Sequence, residues 1–200
     1  MKSINDRLEE FKKAIADRTI ATGTLVRKFI AHGPAYCLRD DEHLYFELKN
    51  EVATFFEVHP SNVFMVGSGK LGFSIAPNKL YQKYDPVGRD SDIDIVVVSP
   101  VVFERYWRRL YSFNIDLESR TDKEDEQFRE FLEYMLKGWI RPDKFPFDFE
   151  GREQWFDFFK KLKQSQRYSQ HSSINCAVYK DLFFFENYHN RNIENLRGRK

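Results

Sequence analysis

The 200-residue chain reads as a mixed α/β domain, a small mixed sheet flanked by helices. Three observations predict it. Two short apolar runs, Val63–Val66 and Ile93–Val98, end in turn residues and have strand length. A third segment, residues 173–179, alternates like a strand. Around them, apolar residues recur three and four apart, the period of amphipathic helices. The order of elements is helices, strand, turn, strand, helices, strand, helix. It suits a single domain over 1–200, with a core of about 40–180 and helices 3–17 and 181–197 packed on it.

Ser3 and Asp6 have the spacing of a capping box. Ile4, Leu8, Phe11 and Ile15 then mark a first helix. Gly23, Gly33 and Pro34 break residues 19–38 into short pieces. A stronger helix covers 41–56, with Leu44, Leu48, Val52 and Phe55 on one face, and His59-Pro60-Ser61-Asn62 closes it. The first strand stops at Gly67, and residues 67–73 read as a glycine-rich turn. Pro77, Pro86 and Gly88 exclude one regular helix over 75–91. After Ser99-Pro100, a helix carries Phe103, Trp107 and Leu110. Residues 118–126 read as an exposed polar loop, and Phe128, Phe131, Leu132 and Met135 mark the next helix, which stops at Gly138. Pro142 and Pro146 make residues 141–149 loop-like. Trp155, Phe159 and Leu162 lie on another helix, and residues 182–196 form the last.

Composition narrows the function classes. The chain is 42% hydrophobic and 16% aromatic, with 20 Phe, enough for a packed core and against disorder. Net charge is +1, so no global basic field advertises nucleic acid. Cys37 and Cys176 make neither a disulfide framework nor a paired metal knuckle, and read as core thiols in a reducing compartment. The first residues open a charged amphipathic segment rather than an apolar leader. No run approaches the roughly 18 apolar residues of a membrane span. The expectation is a cytoplasmic protein with no membrane partner.

The chemistry lies in Val66-Gly67-Ser68-Gly69-Lys70-Leu71-Gly72-Phe73 and Ser91-Asp92-Ile93-Asp94. A triphosphate is a dense anion that travels with Mg²⁺, so its site needs closely approaching donors and a bridging cation. Gly67 removes a side chain and Ser68 adds a hydroxyl donor; Lys70, in the same turn, adds a charge. Asp92 and Asp94, at i and i+2, point to one face of a strand and are the candidate ligands of Mg²⁺ or Mn²⁺. Side by side at the mouth of an apolar strand, they repel unless a cation joins them.

Gly67, Gly69 and Gly72 also spell G-x-G-x-x-G after a strand. A dinucleotide-binding unit then needs a helix, which Pro77, Pro86 and Gly88 interrupt, and an acid beyond the next strand, whereas these acids precede it. A P-loop fails because Phe64 and Leu71 stand where Gly and Ser/Thr belong. A protein kinase fails on length and on the missing catalytic-loop pattern. Gly67-Ser68, Gly72-Phe73 and Ser91-Asp92-Ile93-Asp94 together resemble the signature of the polymerase-β-like nucleotidyltransferase superfamily. The longer gap and the second glycine are more similar to its bacterial cGAS-like branch, known from antiphage defence, than to its minimal antitoxin-like members. The resemblance covers residues 60–100, a fifth of the chain. It implies a nucleotidyltransferase-like core, an NTP substrate, Mg²⁺, and transfer of a nucleoside monophosphate to a hydroxyl with release of pyrophosphate. The acceptor, whether nucleotide, RNA end or protein, stays open.

Such enzymes usually bring a third carboxylate from a later strand as general base. Here Ile174, Cys176 and Val178 form the apolar face of that strand, and Asn175 occupies the opposite one. Asp116 is the candidate substitute, with Glu118 and Asp181 as other choices. About 100 residues follow the Asp pair, which suits a reduced cap rather than a full second domain. Two readings therefore stand. One is an active nucleotidyltransferase that uses Asp92, Asp94 and Asp116. The other is a catalytically reduced nucleotide-binding module, a sensor or partner subunit in a bacterial defence or toxin–antitoxin system.

Lys79, Lys83 and Arg89 lie in the loop between the motif halves and are candidate triphosphate contacts. Tyr179, Tyr188 or Phe73 could stack a base. The five histidines show no ligand spacing and read as structural or surface residues. The tail residues Arg191, Arg197, Arg199 and Lys200 read as a solvated terminus or a small nucleic-acid contact.

Overall fold

The computed structural model describes residues 3–85, 92–116, 121–146 and 148–198, the last three residues of the second stretch by backbone alone. Strands β1 (Val63–Val66), β2 (Ile93–Val98), β3 (Trp139–Ile140) and β4 (Ile174–Tyr179) form one sheet in the order β1-β2-β4-β3. β1 and β3 lie antiparallel to their neighbours, and β2 and β4 lie parallel. The sheet is mixed, as the sequence predicts. The helices are α1 (Ile4–Ala16), α2 (Thr22–Leu25), α3 (Glu42–Phe56), α4 (Gly67–Leu71), α5 (Pro100–Asp116), α6 (Asp122–Leu136), α7 (Arg152–Gln164) and α8 (Leu182–Gly198). Among the described residues, no helix is long and apolar enough to cross a membrane.

Strand alternation sorts the side chains onto two faces. Ile93, Ile95, Val97, Ile174, Cys176 and Val178 face one core, beneath α3, α5, α6 and α7. That core is dominated by aromatics such as Phe56, Tyr106, Phe131 and Trp155, each burial removing about 1.5–3 kcal/mol worth of exposed apolar surface. Val66, Val96, Val98 and Tyr179 face the second core, covered by Phe11 of α1, Phe185 and Ile193 of α8, and Val26 and Ile30 of a π-helical turn. Asp94 and Asn175 share this second face with Val96 and Ala177, by the same alternation.

Local signals place most ends. Ser3 and Asp6 form the reciprocal capping box that starts α1. The Asp41 carboxylate caps α3 by accepting from the Leu44 amide at 2.8 Å. Two expectations are corrected. The predicted loop over 118–126 is helical from Asp122, because Thr121 and Glu124 make a second capping box inside that polar stretch; residues 117–120, including Glu118, lie outside the described residues. The predicted glycine turn at 67–73 contains helix α4, which Gly72 closes in the left-handed region at φ 91°.

Candidate active site at the amino ends of β2 and β4

The helical form of residues 67–71 decides which side chains meet. Gly67, at φ 67°, brings the chain off β1 directly against β2. A Cβ at this position would overlap Asp94 Oδ2 and stand 3.3 Å from Asp94 Cγ. The other two glycines of the pattern serve packing. A Cβ at Gly69 would stand 3.3 Å from Cys37 Sγ, and one at Gly72 would stand 2.9 Å from the Tyr36 ring.

β2 and β4 pair in parallel with Asp94 directly beside Asn175. Asn175 Nδ2 donates to Asp94 Oδ1 at 3.4 Å. Ser172 Oγ and Ser173 Oγ donate to Asp92 Oδ1 at 2.7 and 2.9 Å, and Ser173 Oγ also lies 3.2 Å from Asn175 Oδ1. A polar chain therefore runs from Asp92 through Ser173 and Asn175 to Asp94. Burial raises the Asp94 carboxyl above its ordinary value; the Asn175 amide opposes this, and the negative Asp92 adds to it. Sequence reasoning missed the two serines, whose only signal was their position just ahead of a strand parallel to β2.

The Tyr84 hydroxyl lies 2.7 Å from His171 Nδ1, and the Tyr84 amide donates to the Gly72 carbonyl at 2.8 Å, tying the loop between the motif halves to both sides of the site. Burial pushes the neighbouring Cys37 thiol up to about 12. Both cysteines are free, as the sequence predicts.

A cleft of about 650 Å³ opens beside β4 and is lined from both faces of the sheet, by Val96 and Tyr179 on one and by Cys176, Trp155 and Phe159 on the other. Gly67, Ser68, Asp94 and Asn175 line one end; Tyr179, Trp139, Tyr188 and His189 line it farther along. Asp92 lies outside the lining. Lys70 does too, against the expectation of a phosphate contact. In a helix, positions 67, 68 and 71 share the cleft face and 70 turns away. Its side chain, 2% exposed, donates instead to the Gly33 carbonyl. Burial, with Arg7 and Lys49 nearby, pushes its ammonium down to about 8.

Other expected contacts fall elsewhere. Lys79 and Lys83 do not line the cleft, and Arg89 lies outside the described residues. Asp116 ends α5, a helix whose Val102, Phe103, Tyr106 and Leu110 pack on the opposite face of the sheet; its side chain lies outside the described residues. The expected solvated tail is partly structural: Arg197 donates to the Ile15, Asp17 and Ile20 carbonyls and to Thr22 Oγ1.

Mg²⁺ is commonly held by one or two carboxylates together with substrate phosphates and waters. Asp92 and Asp94 belong to one hydrogen-bonded chain, and of the two only Asp94 lines the cleft. Among the described residues no group of three or more His, Cys, Asp and Glu is poised for a metal. Among the described residues, then, no all-protein metal cage is present. No family model, no curated protein and no solved structure matches the chain.

Proposed function

We propose that the cleft binds a nucleoside triphosphate with Mg²⁺ and that the chain is a nucleotidyltransferase of the polymerase-β-like type. The observation that carries this reading is the contact of Gly67 with Asp94. A bare backbone turn and a carboxylate raised by burial meet in the lining of a cleft of about 650 Å³. Asp92 and Asp94 would hold Mg²⁺ or Mn²⁺, and Gly67 and Ser68 would meet the phosphates. The bound ion supplies charge neutralisation at the phosphates. Transfer forms a bond from an acceptor hydroxyl oxygen to the α-phosphorus and breaks the bond to the leaving pyrophosphate. The hydroxyl proton needs a base, and Asp116 is the residue proposed for it.

One observation favours the second reading, a nucleotide-binding module without turnover that serves as sensor or partner subunit. Asn175 stands beside Asp94, where a third carboxylate would complete the set, and an amide cannot take a proton. Labelled NTPs with Mg²⁺ or Mn²⁺ separate the two. Pyrophosphate release that is lost in Asp92→Ala, Asp94→Ala and Asp116→Ala supports the enzyme. Metal-dependent binding without release supports the module. Absence of metal-dependent NTP binding overturns both.

A further inference from the structure

A second cavity, of about 180 Å³, lies where the C-terminal end of α4 meets α1 and the π-helical turn. Arg7 and Glu10 of α1, Lys28 of the turn and His32 just after it supply its polar lining. Phe29 and Phe73 wall it on the apolar side, each packed on the Phe11 ring at 5.2 Å.

The charges around this cavity do not balance. Arg7 and Lys28 line it, and the buried Lys70 ammonium stands behind, donating to the carbonyl of Gly33, another lining residue. Against these three cations the lining supplies one carboxylate, Glu10, which pairs with Lys28 at 3.0 Å. Arg39 sits 3.9 Å over the Tyr36 ring that Arg7 also faces, at 5.6 Å, and is itself offset by Asp40 at 3.3 Å. The whole chain carries a net charge of only +1, so the excess is local. Burial, with Arg39 nearby, pushes the Arg7 guanidinium down, against the pull of Tyr36 and Glu10. Cations gathered where water is partly excluded repel one another unless an anion joins them.

Arg7 has a donor to spare. Its Nε and Nη2 hold the Leu71 and Lys70 carbonyls, and among the described residues Nη1 has no acceptor. A guanidinium beside an ammonium suits phosphate and carboxylate oxygens. The cavity has the volume of about six waters at about 30 Å³ each, which fits a small anion and excludes a nucleotide. Water alone would fill it and leave the excess charge in place. The phenylalanine walls suit an apolar body behind the charged head. Leu71 lines this cavity and the larger cleft alike, so an occupant held by Arg7 bears on the turn that carries Gly67 and Ser68.

We propose that this cavity is a binding site for a small organic oxyanion, held by Arg7 and Lys28, and that its occupancy is felt at Ser68 through Arg7 and α4. The site stands whether or not the cleft takes a nucleotide. Titration of the full chain, followed by ¹H–¹⁵N NMR with EDTA present, tests it. The probes are phenyl phosphate, benzoate and inorganic phosphate. The proteins are the wild type, Lys28→Gln, Glu10→Gln and Lys160→Gln, the last removing an exposed charge on α7. Phenyl phosphate or benzoate should move the amides of Phe29, Gly33 and Ser68, and the tighter of the two identifies the head group. Lys28→Gln should weaken binding about five- to tenfold. Glu10→Gln, which removes the carboxylate from the lining, should tighten it by a similar factor. Lys160→Gln should leave it unchanged. Absence of binding by all three probes at about 10 mM overturns the site. So does equal weakening by Lys28→Gln and Lys160→Gln, the mark of a diffuse charge effect. Ser68 shifts that Lys28→Gln leaves intact put the anion in the cleft and overturn the site as well. Inorganic phosphate bound as tightly as the aromatic probes overturns the apolar body. Shifts at Phe29 and Gly33 with none at Ser68 keep the site and overturn its link to α4.

Discussion

At the scale of single residues, the site depends on Gly67 and on the pair Asp94–Asn175. Gly67→Ala puts a methyl group onto Asp94 Oδ2 and holds a non-glycine residue at φ 67°. The left-handed conformation alone costs about 1–2 kcal/mol. Urea denaturation should show a loss of about 2 kcal/mol, and Mg²⁺-dependent nucleotide binding should disappear with it; a variant of wild-type stability would mean that Gly67 and Asp94 do not touch. Asn175→Asp exchanges the hydrogen bond to Asp94 for a third negative charge. Without metal the variant should be less stable by about 1–3 kcal/mol. Added Mn²⁺ should raise its melting temperature by more than it raises the wild type's. Equal metal shifts in the two proteins would separate Asn175 from the ion. The Asp pair and Gly67-Ser68 were legible in the sequence because strand period and glycine chemistry are local. Ser172, Ser173 and His189 were not, since nothing near them in the chain records which strand the serines meet or where the helix of His189 docks.

At the scale of elements, α4 shows how a motif can be read correctly in composition and wrongly in shape. Five residues rarely hold a helix by themselves. Here Arg7 of α1 donates Nε to the Leu71 carbonyl and Nη2 to the Lys70 carbonyl, each at 3.1 Å, so the last carbonyls of α4 have partners from another element. Arg7→Ala should therefore destabilise the fold by about 1–3 kcal/mol. It should also weaken Mg²⁺·NTP binding, although Arg7 is absent from the lining of the cleft, because the turn carrying Gly67 and Ser68 loses its support. Unchanged affinity in the presence of the stability loss would show that α4 holds its shape alone. The same logic explains Lys70. Its turn away from the cleft follows from helical phase, which a G-x-G-x-x-G string does not disclose.

At the scale of the whole molecule, the cleft is formed by segments far apart in the chain, and its buried histidine links fold and pH. His189 titrates near 4 in the folded protein against about 6.5 in an unfolded chain. The unfolded state therefore takes up the proton first as the pH falls. Stability present above about pH 6.5 is lost on the way down to about 4, by about 3 kcal/mol in all. His189→Phe should flatten that part of the profile; denaturation curves at pH 7 and pH 4.5 that fall equally for both proteins would show that the ring is already solvated. By itself the sequence determined the class of fold, the strands β1, β2 and β4, and the main helices. These follow from periodicity and capping, which act over a few residues. Only the tertiary structure decided that β4 sets Asn175 beside Asp94, that Lys70 is buried, and that Trp139 and His189 share the cleft with Asp94. Those outcomes depend on strand order and helix docking, whose free energies come from contacts between residues up to about a hundred positions apart, and no local pattern encodes them.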